Sequence, residues 1–133
     1  MNEVAKILIR NIKDEILVIR RSGTHPKWAY HLDFPGGDVE DNETPVIGVL
    51  REVTEEVGII VYSEESELLN KKIINDYKVY YLFGVNLQQE PNIKLSWEHD
   101  LFKWISKEEL INTPLPKNCD DYFEMVINYL KNE

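Results

Sequence analysis

A single cysteine, Cys119, stands among the 133 residues, so no disulfide forms within the chain and no zinc site can be built from several thiolates. Three separated histidines, His25, His31 and His99, supply no zinc motif either. No apolar run approaches the ~20 residues that a membrane-spanning helix needs. Met1–Val4 lacks the basic segment and apolar core of a signal peptide. Positive charge is also scarce: 15 Lys and Arg face 24 Asp and Glu, for a formal net charge of −9. That balance disfavours non-specific binding to nucleic acid, which relies on clustered cations over the phosphates. The expectation is a soluble cytoplasmic protein that engages neither membranes nor nucleic-acid polymers. A small phosphorylated substrate remains compatible with the acidity, provided metal ions supply the missing positive charge.

What is present suffices to fold. Hydrophobic residues are 43% and aromatics 11%, enough for the core of one domain over residues 1–133. Val4–Arg10 and Ile16–Arg21 are aliphatic runs separated by Asn11-Ile12-Lys13-Asp14, which predicts a hairpin. A short strand through Tyr30 to Phe34 follows, broken by Pro35-Gly36-Gly37. The clearest helix runs from Pro45 to Val57, with Thr44 as N-cap and Gly58 as C-cap. Val46, Val49, Leu50, Val53 and Val57 recur at helical spacing and form its buried face. Gly48 inside it implies a close approach by another backbone. Strands are expected at Ile59–Tyr62, Leu68–Ile74, Lys78–Leu87 and Phe102–Ile105. Ser106 with Glu109 suggests a capping box for a short helix, and Asp120–Lys131 reads as a final amphipathic helix on Phe123, Val126, Ile127 and Leu130.

Glu52, Glu55 and Glu56 fall within an arc of roughly 100° on the central helix, beside its apolar stripe. Like charges so spaced repel, by a few tenths of a kcal/mol per pair, so something positive belongs among them. Clustered carboxylate oxygens suit hard divalent cations, Mg²⁺ above all, which commonly also hold substrate phosphates. Glu64, Glu65 and Glu67, by contrast, make an acidic loop without metal spacing. Gly36 and Gly37 let backbone carbonyls approach such an ion, while Glu43 and Arg51 bridge the loop to the helix.

The run Gly37, five residues, Glu43, seven residues, then Arg51-Glu52-Val53-Thr54-Glu55-Glu56-Val57-Gly58-Ile59 resembles, without a gap, the G-x5-E-x7-R-E-U-x-E-E-x-G-U signature of the Nudix hydrolases. A chance match at any one start is below roughly 10⁻⁷ if each fixed residue occurs at about 5–7%. Upstream, Ile19-Arg20-Arg21 and Leu32-Asp33-Phe34-Pro35-Gly36-Gly37 are similar to the MutT-like branch. The loop between them departs from that branch, being longer by about one residue and carrying Trp28 and Tyr30. Their rings can stack on a base or pack onto the domain.

The resemblance implies an α/β fold, the Nudix α/β/α sandwich, with a mixed β-sheet between the box helix and a C-terminal helix. It implies Mg²⁺ (or Mn²⁺) as cofactor, held by Glu52, Glu55 and Glu56, joined by the Gly36 carbonyl and by Glu98 in Ser96-Trp97-Glu98-His99-Asp100. Glu52, Glu55, Glu56 and Arg51 form the catalytic set, with the general base open among the carboxylates. His99 is expected to serve as a structural hydrogen-bonding residue. Arg20 and Arg21 are implied at phosphate, Phe34 near a base, and Asn118 in Leu115-Pro116-Lys117-Asn118 as a base-reading residue. The implied substrate is a small-molecule nucleotide. A MutT-like enzyme cuts a (deoxy)nucleoside triphosphate, including oxidised purines such as 8-oxo-dGTP, into monophosphate and pyrophosphate. The alternatives are a pyrophosphatase of ADP-ribose or a nucleotide sugar, and a nucleotide-sensing Nudix domain without turnover. Monomer and homodimer both stay open.

Overall fold

The computed structural model describes residues 1–115 and 121–133. Strand β1 (Asn2–Arg10) turns back into β2 (Ile16–Arg21), and the short strands β3 (Leu32–Asp33) and β4 (Gly36–Asp38) lead to helix α1 (Pro45–Val57). A 3₁₀ turn at Ser63–Glu65 precedes β5 (Ser66–Asn75) and β6 (Lys78–Asn86). Strand β7 (His99–Ile105), the short helix α2 (Lys107–Ile111) and α3 (Asp121–Lys131) complete the described chain.

The sheet runs β3-β2-β1-β6-β5, with β4 also pairing β1 and β7 also pairing β2. It is mixed, because β1 and β6 run parallel from Asn2↔Lys78 to Arg10↔Asn86 while the other pairs are antiparallel. The first hairpin is closed by Asn11, whose Oδ1 accepts from the Lys13 and Glu15 N–H groups. Beyond that turn β1 and β2 part: they register at Arg10↔Ile16, and further along β1 takes β4 while β2 takes β3; β7 pairs with β2 along its whole length. The splayed strands open the cleft that the site occupies.

Alternation along the strands builds two cores. Ala5, Ile7, Ile9, Leu17 and Ile19 face α1 and pack with Val49, Val53 and Val57. Leu8, Ile16, Val18 and Leu82 face the other way, onto Phe123, Val126, Ile127 and Leu130 of α3. Helices on opposite faces of a mixed sheet make the expected α/β/α sandwich. Among the described residues no helix is long and apolar enough to cross a membrane.

Four local expectations are corrected. The strand read over Tyr30–Phe34 is only Leu32–Asp33, because Trp28 and Tyr30 adopt positive φ, 56° and 65°, and hold the preceding loop out of extended geometry. Gly36 and Gly37 do not merely end a strand; with Asp38 they form β4 against Val4–Lys6. Ile59–Tyr62 is no strand: Ile59 and Val61 are buried and Ile60 and Tyr62 exposed, but among the described residues no strand pairs with this alternating segment. Gly48 faces the side chains of Glu43 and Val39 rather than a backbone.

Candidate active site

Helix α1 brings the carboxylates together. Thr44 Oγ1 accepts from the Ile47 N–H at 3.4 Å, Pro45 opens the first turn, and Gly58 closes the last at φ 73°. The edge beside its buried face then carries Glu52, Glu55 and Glu56, and all three line one pocket of about 720 Å³ with Gly36, Gly37 and Glu98. Glu56 is buried, and its Oε1 accepts from the Gly36 N–H at 2.8 Å. Glu52 is half-buried behind Gly37, while Glu55 is exposed at the rim.

Arg51 supplies the positive charge expected among these acids. Its Nε donates to Glu43 Oε2 at 2.7 Å and Nη2 to Glu43 Oε1 at 3.0 Å, a bidentate pair. Nη1 reaches Glu52 Oε1 at 3.3 Å and Glu55 Oε2 at 3.2 Å, and Nη2 donates to the Asp38 carbonyl at 3.3 Å. These bonds hold the Glu43 carboxyl below its usual range and push the Arg51 guanidinium further up. Arg51, expected in the catalytic set, does not line the pocket; it ties the loop to the helix and orients two of the glutamates.

The acids that remain are electrostatically strained. Burial pushes the Glu56 carboxyl well above the ordinary range; Glu52 and Asp33 add to the rise, against the Gly36 N–H and Lys6. Burial also raises Glu52, with Glu55 and Glu98 adding to the effect and Arg51 opposing it. Desolvated carboxylates that resist ionisation are stabilised as anions by a bound cation, and their all-oxygen donor set suits Mg²⁺ or Mn²⁺. Among the described residues no three acidic, imidazole or thiol groups already converge on one point. Mg²⁺ ordinarily takes part of its shell from water or substrate phosphates.

The same pocket also carries cations. Lys6, Arg21 and Lys27 line the pocket together with Asp33 and Trp28. Lys6 Nζ donates to Asp33 Oδ1 at 2.5 Å, while Arg21 Nε and Nη2 reach Asp33 Oδ2 at 3.0 and 2.8 Å. Burial raises the Asp33 carboxyl, but Lys6 and Arg21 outweigh it and hold the group below its usual range, ionised. Arg21 Nη1 also donates to the Lys27 carbonyl at 3.1 Å, pinning the loop. His25 Nε2 lies 3.6 Å from Glu98 Oε2, and burial together with Arg21 lowers the imidazole's pKa.

Several expected residues lie elsewhere. Arg20 precedes Arg21 in β2 at a break in the register with β7; it pairs with Asp100 at 2.8 and 3.1 Å outside the pocket. Its expected phosphate contact is corrected on that ground. Phe34 is 1% exposed and stacks on Phe123 with centroids 5.0 Å apart. Its ring belongs to the core and offers no face to a base. Asn118 lies outside the described residues. His99, expected to form structural hydrogen bonds, is buried with Nδ1 unpartnered among the described residues, and burial lowers its pKa to about 4. Lys6 and Asp33 escaped the sequence reading. Their signal was available: each is a charge set inside an apolar strand segment, Val4-Ala5-Lys6-Ile7 and Leu32-Asp33-Phe34, and such charges persist only when paired.

A family model described as NUDIX domain matches residues 2–127. The chain is 46% identical over 57 residues to the 8-oxo-dGTP diphosphatase of Escherichia coli (strain K12), a stretch covering 43% of each chain. It is 28% identical over 131 residues to the ADP-sugar pyrophosphatase of Mus musculus, covering 98% of this chain and 52% of that one. The matches thus span about half the length of these curated relatives. Among solved structures, the MutT protein from Methanosarcina mazei Go1 superposes with a TM-score of 0.77 and 29% identity, over 98% of this chain and 95% of that one.

Proposed function

The chain belongs to the NUDIX family, and on that premise we propose that it is a divalent-metal-dependent hydrolase of nucleoside triphosphates, MutT-like in releasing nucleoside monophosphate and pyrophosphate. The observation that carries this reading is one pocket lined both by Glu52, Glu55 and Glu56 and by Lys6, Arg21 and Lys27. A single anhydride needs the acidic edge and its ions; a run of three phosphates also uses the cations of the same pocket.

Glu52, Glu55 and Glu56, with the Gly36 carbonyl and Glu98, would hold the Mg²⁺ or Mn²⁺ ions. Such ions, when bound, neutralise charge on phosphate oxygens and lower the pKa of an attacking water. Arg21 and Lys27 bind the phosphates and align the anhydride. Water adds at phosphorus, the P–O bond to pyrophosphate breaks, and a carboxylate of the acidic set takes the proton. Arg51, by holding Glu43 and Glu52, keeps that set in place. No side chain becomes covalently attached to substrate.

The similarity to a mouse ADP-sugar pyrophosphatase, over 98% of this chain and 52% of that one, favours a second reading, cleavage of ADP-ribose or a nucleotide sugar at the same carboxylates. A panel of nucleotides with Mg²⁺ or Mn²⁺, analysed for products, separates them. Monophosphate plus pyrophosphate from a triphosphate supports the first reading. AMP plus ribose phosphate from ADP-ribose supports the second. Binding without turnover of any member would refute both and indicate a nucleotide sensor.

A further inference from the structure

Lys6 stands in the central strand between Ala5 and Ile7, both fully buried, and is itself 5% exposed. An ammonium there has left bulk water and persists because it is paired. Its Nζ donates to Asp33 Oδ1 and lies 5.5 Å from the centroid of the Tyr122 ring. The other oxygen of Asp33 takes Arg21 Nε and Nη2. One buried carboxylate is thus divided between two cations, an oxygen to each. Both cations line the pocket that holds the three glutamates.

We propose that Lys6 is a positioning residue for Arg21: by holding Asp33 through Oδ1, it leaves Oδ2 to orient the guanidinium in the pocket that receives the substrate's phosphates. The inference rests on the nucleotide-hydrolase reading above. Arginine and a carboxylate with both oxygens available settle into a fork-on-fork pair, with two parallel N–H···O bonds. Lys6 prevents that arrangement by occupying Oδ1, which also accepts the Phe34 N–H at 2.8 Å. Asp33 holds the guanidinium through Oδ2 instead, and Nη1 stays turned to the Lys27 carbonyl. Without the ammonium, Asp33 can offer both oxygens to Arg21, rotating the guanidinium away from its present direction. Lys6 also links the cations to the acids through its backbone, because it pairs with Gly36, whose N–H holds Glu56.

The test is a cycle of full-chain proteins: wild type, Lys6→Met, Arg21→Gln and the double variant. Each is assayed for steady-state triphosphate hydrolysis with Mg²⁺ and for thermal melting. Lys6→Met is expected to raise KM about tenfold with kcat within about threefold, the signature of lost ground-state binding. Arg21→Gln raises KM at least as much, and Lys6→Met adds nothing further in that background. Lys6→Arg, which keeps a charged donor, recovers most of the wild-type KM. Losses that multiply in the double variant, or an unchanged KM in Lys6→Met, would overturn the proposal. Should Lys6→Met fold poorly, Lys6→Met/Asp33→Asn removes both buried charges together; its KM stays raised, and a wild-type KM there would overturn the proposal as well. The same cycle is read by calorimetric binding of inorganic pyrophosphate with Mg²⁺, which needs no turnover. If the wild type hydrolyses no triphosphate, the functional reading fails. The Lys6–Arg21 linkage is still decided by whether pyrophosphate affinity falls in each single variant and no further in the double.

Discussion

Adjacent glycines in β4 should fail in opposite ways when each receives a methyl group. Gly36 has φ 138°, a region essentially reserved for glycine, and a Cβ there would lie 2.5 Å from the Lys6 Cα and closer still to the Ala5 carbonyl oxygen. Both obstacles are backbone of the central strand and cannot swing aside. Backbone strain and overpacking together cost about 2–6 kcal/mol, a large share of the ~5–15 kcal/mol that stabilises a typical domain. At about 4 °C per kcal/mol, Gly36→Ala should melt about 8–24 °C below wild type. Gly37 differs, because its Cβ would meet Glu52 Oε1 at 3.0 Å and Cδ at 3.2 Å, the far end of a flexible side chain. The carboxylate can give by a few tenths of an ångström, so the fold survives while a ligand of the proposed metal set is displaced. Mg²⁺ holds its oxygens near 2.1 Å in strict octahedral geometry, and disturbing such a set typically costs about 10–100-fold in metal affinity or activity. Melting curves and Mn²⁺ titration of the two variants, followed by turnover, read the contrast. A Gly37→Ala protein with wild-type metal affinity and turnover, or a Gly36→Ala protein that melts with the wild type, would refute the reasoning.

Glu56→Gln should stabilise the metal-free protein, increasingly as pH rises. Between the ordinary value of 4.5 and the raised folded value, the folded wild type holds a proton that the unfolded chain has lost. Its stability therefore falls with rising pH across that window, a loss that melting curves should not find in the variant. His99 titrates the other way: its folded pKa of about 4 lies below the ordinary 6.5. Stability is lost as pH falls from 6.5 toward 4, by about 3 kcal/mol; urea melts of His99→Gln should show that acid loss removed. Arg20→Ala should leave KM within about twofold of wild type, since an exposed pair such as Arg20–Asp100 contributes little. Arg21→Ala should raise KM about tenfold or more; equal effects in the two variants would contradict the placement of Arg21 in the pocket and of Arg20 outside it.

The parts of the molecule legible in the sequence are those set by local chemistry. Thr44, Pro45 and Gly58 fix both ends of α1 with their own backbone preferences, and period 3.6 identifies its buried face. The two cores follow from alternation in β1 and β2, and the spacing of Glu52, Glu55 and Glu56 puts them on one edge whatever surrounds the helix. What escaped depends on partners far along the chain. Gly36-Gly37 pairs as a strand only because β1 has parted from β2, and Ile59–Tyr62 shows that alternation reports which side is buried, not whether a neighbouring strand exists. Phe34 resembles a base-contacting aromatic in its local sequence, yet Phe123, 89 positions on, decides its fate. The Lys6–Asp33–Arg21 cluster likewise joins β1, β3 and β2: Lys6 and Asp33 each stand out as a charge in an apolar segment, but which residues pair them is decided far along the chain.

The central claim is that Glu55 and Glu56 belong to a metal-dependent hydrolytic set rather than to a solvated acidic face. Its most direct test is pyrophosphate release from a nucleoside triphosphate by wild type, Glu55→Gln and Glu56→Gln, with and without Mg²⁺, beside their melting temperatures. The account predicts release that stops on chelation and falls about 100-fold or more in each variant, with melting no lower than wild type. Near-wild-type release by either folded variant, or release undiminished by chelator, would contradict it.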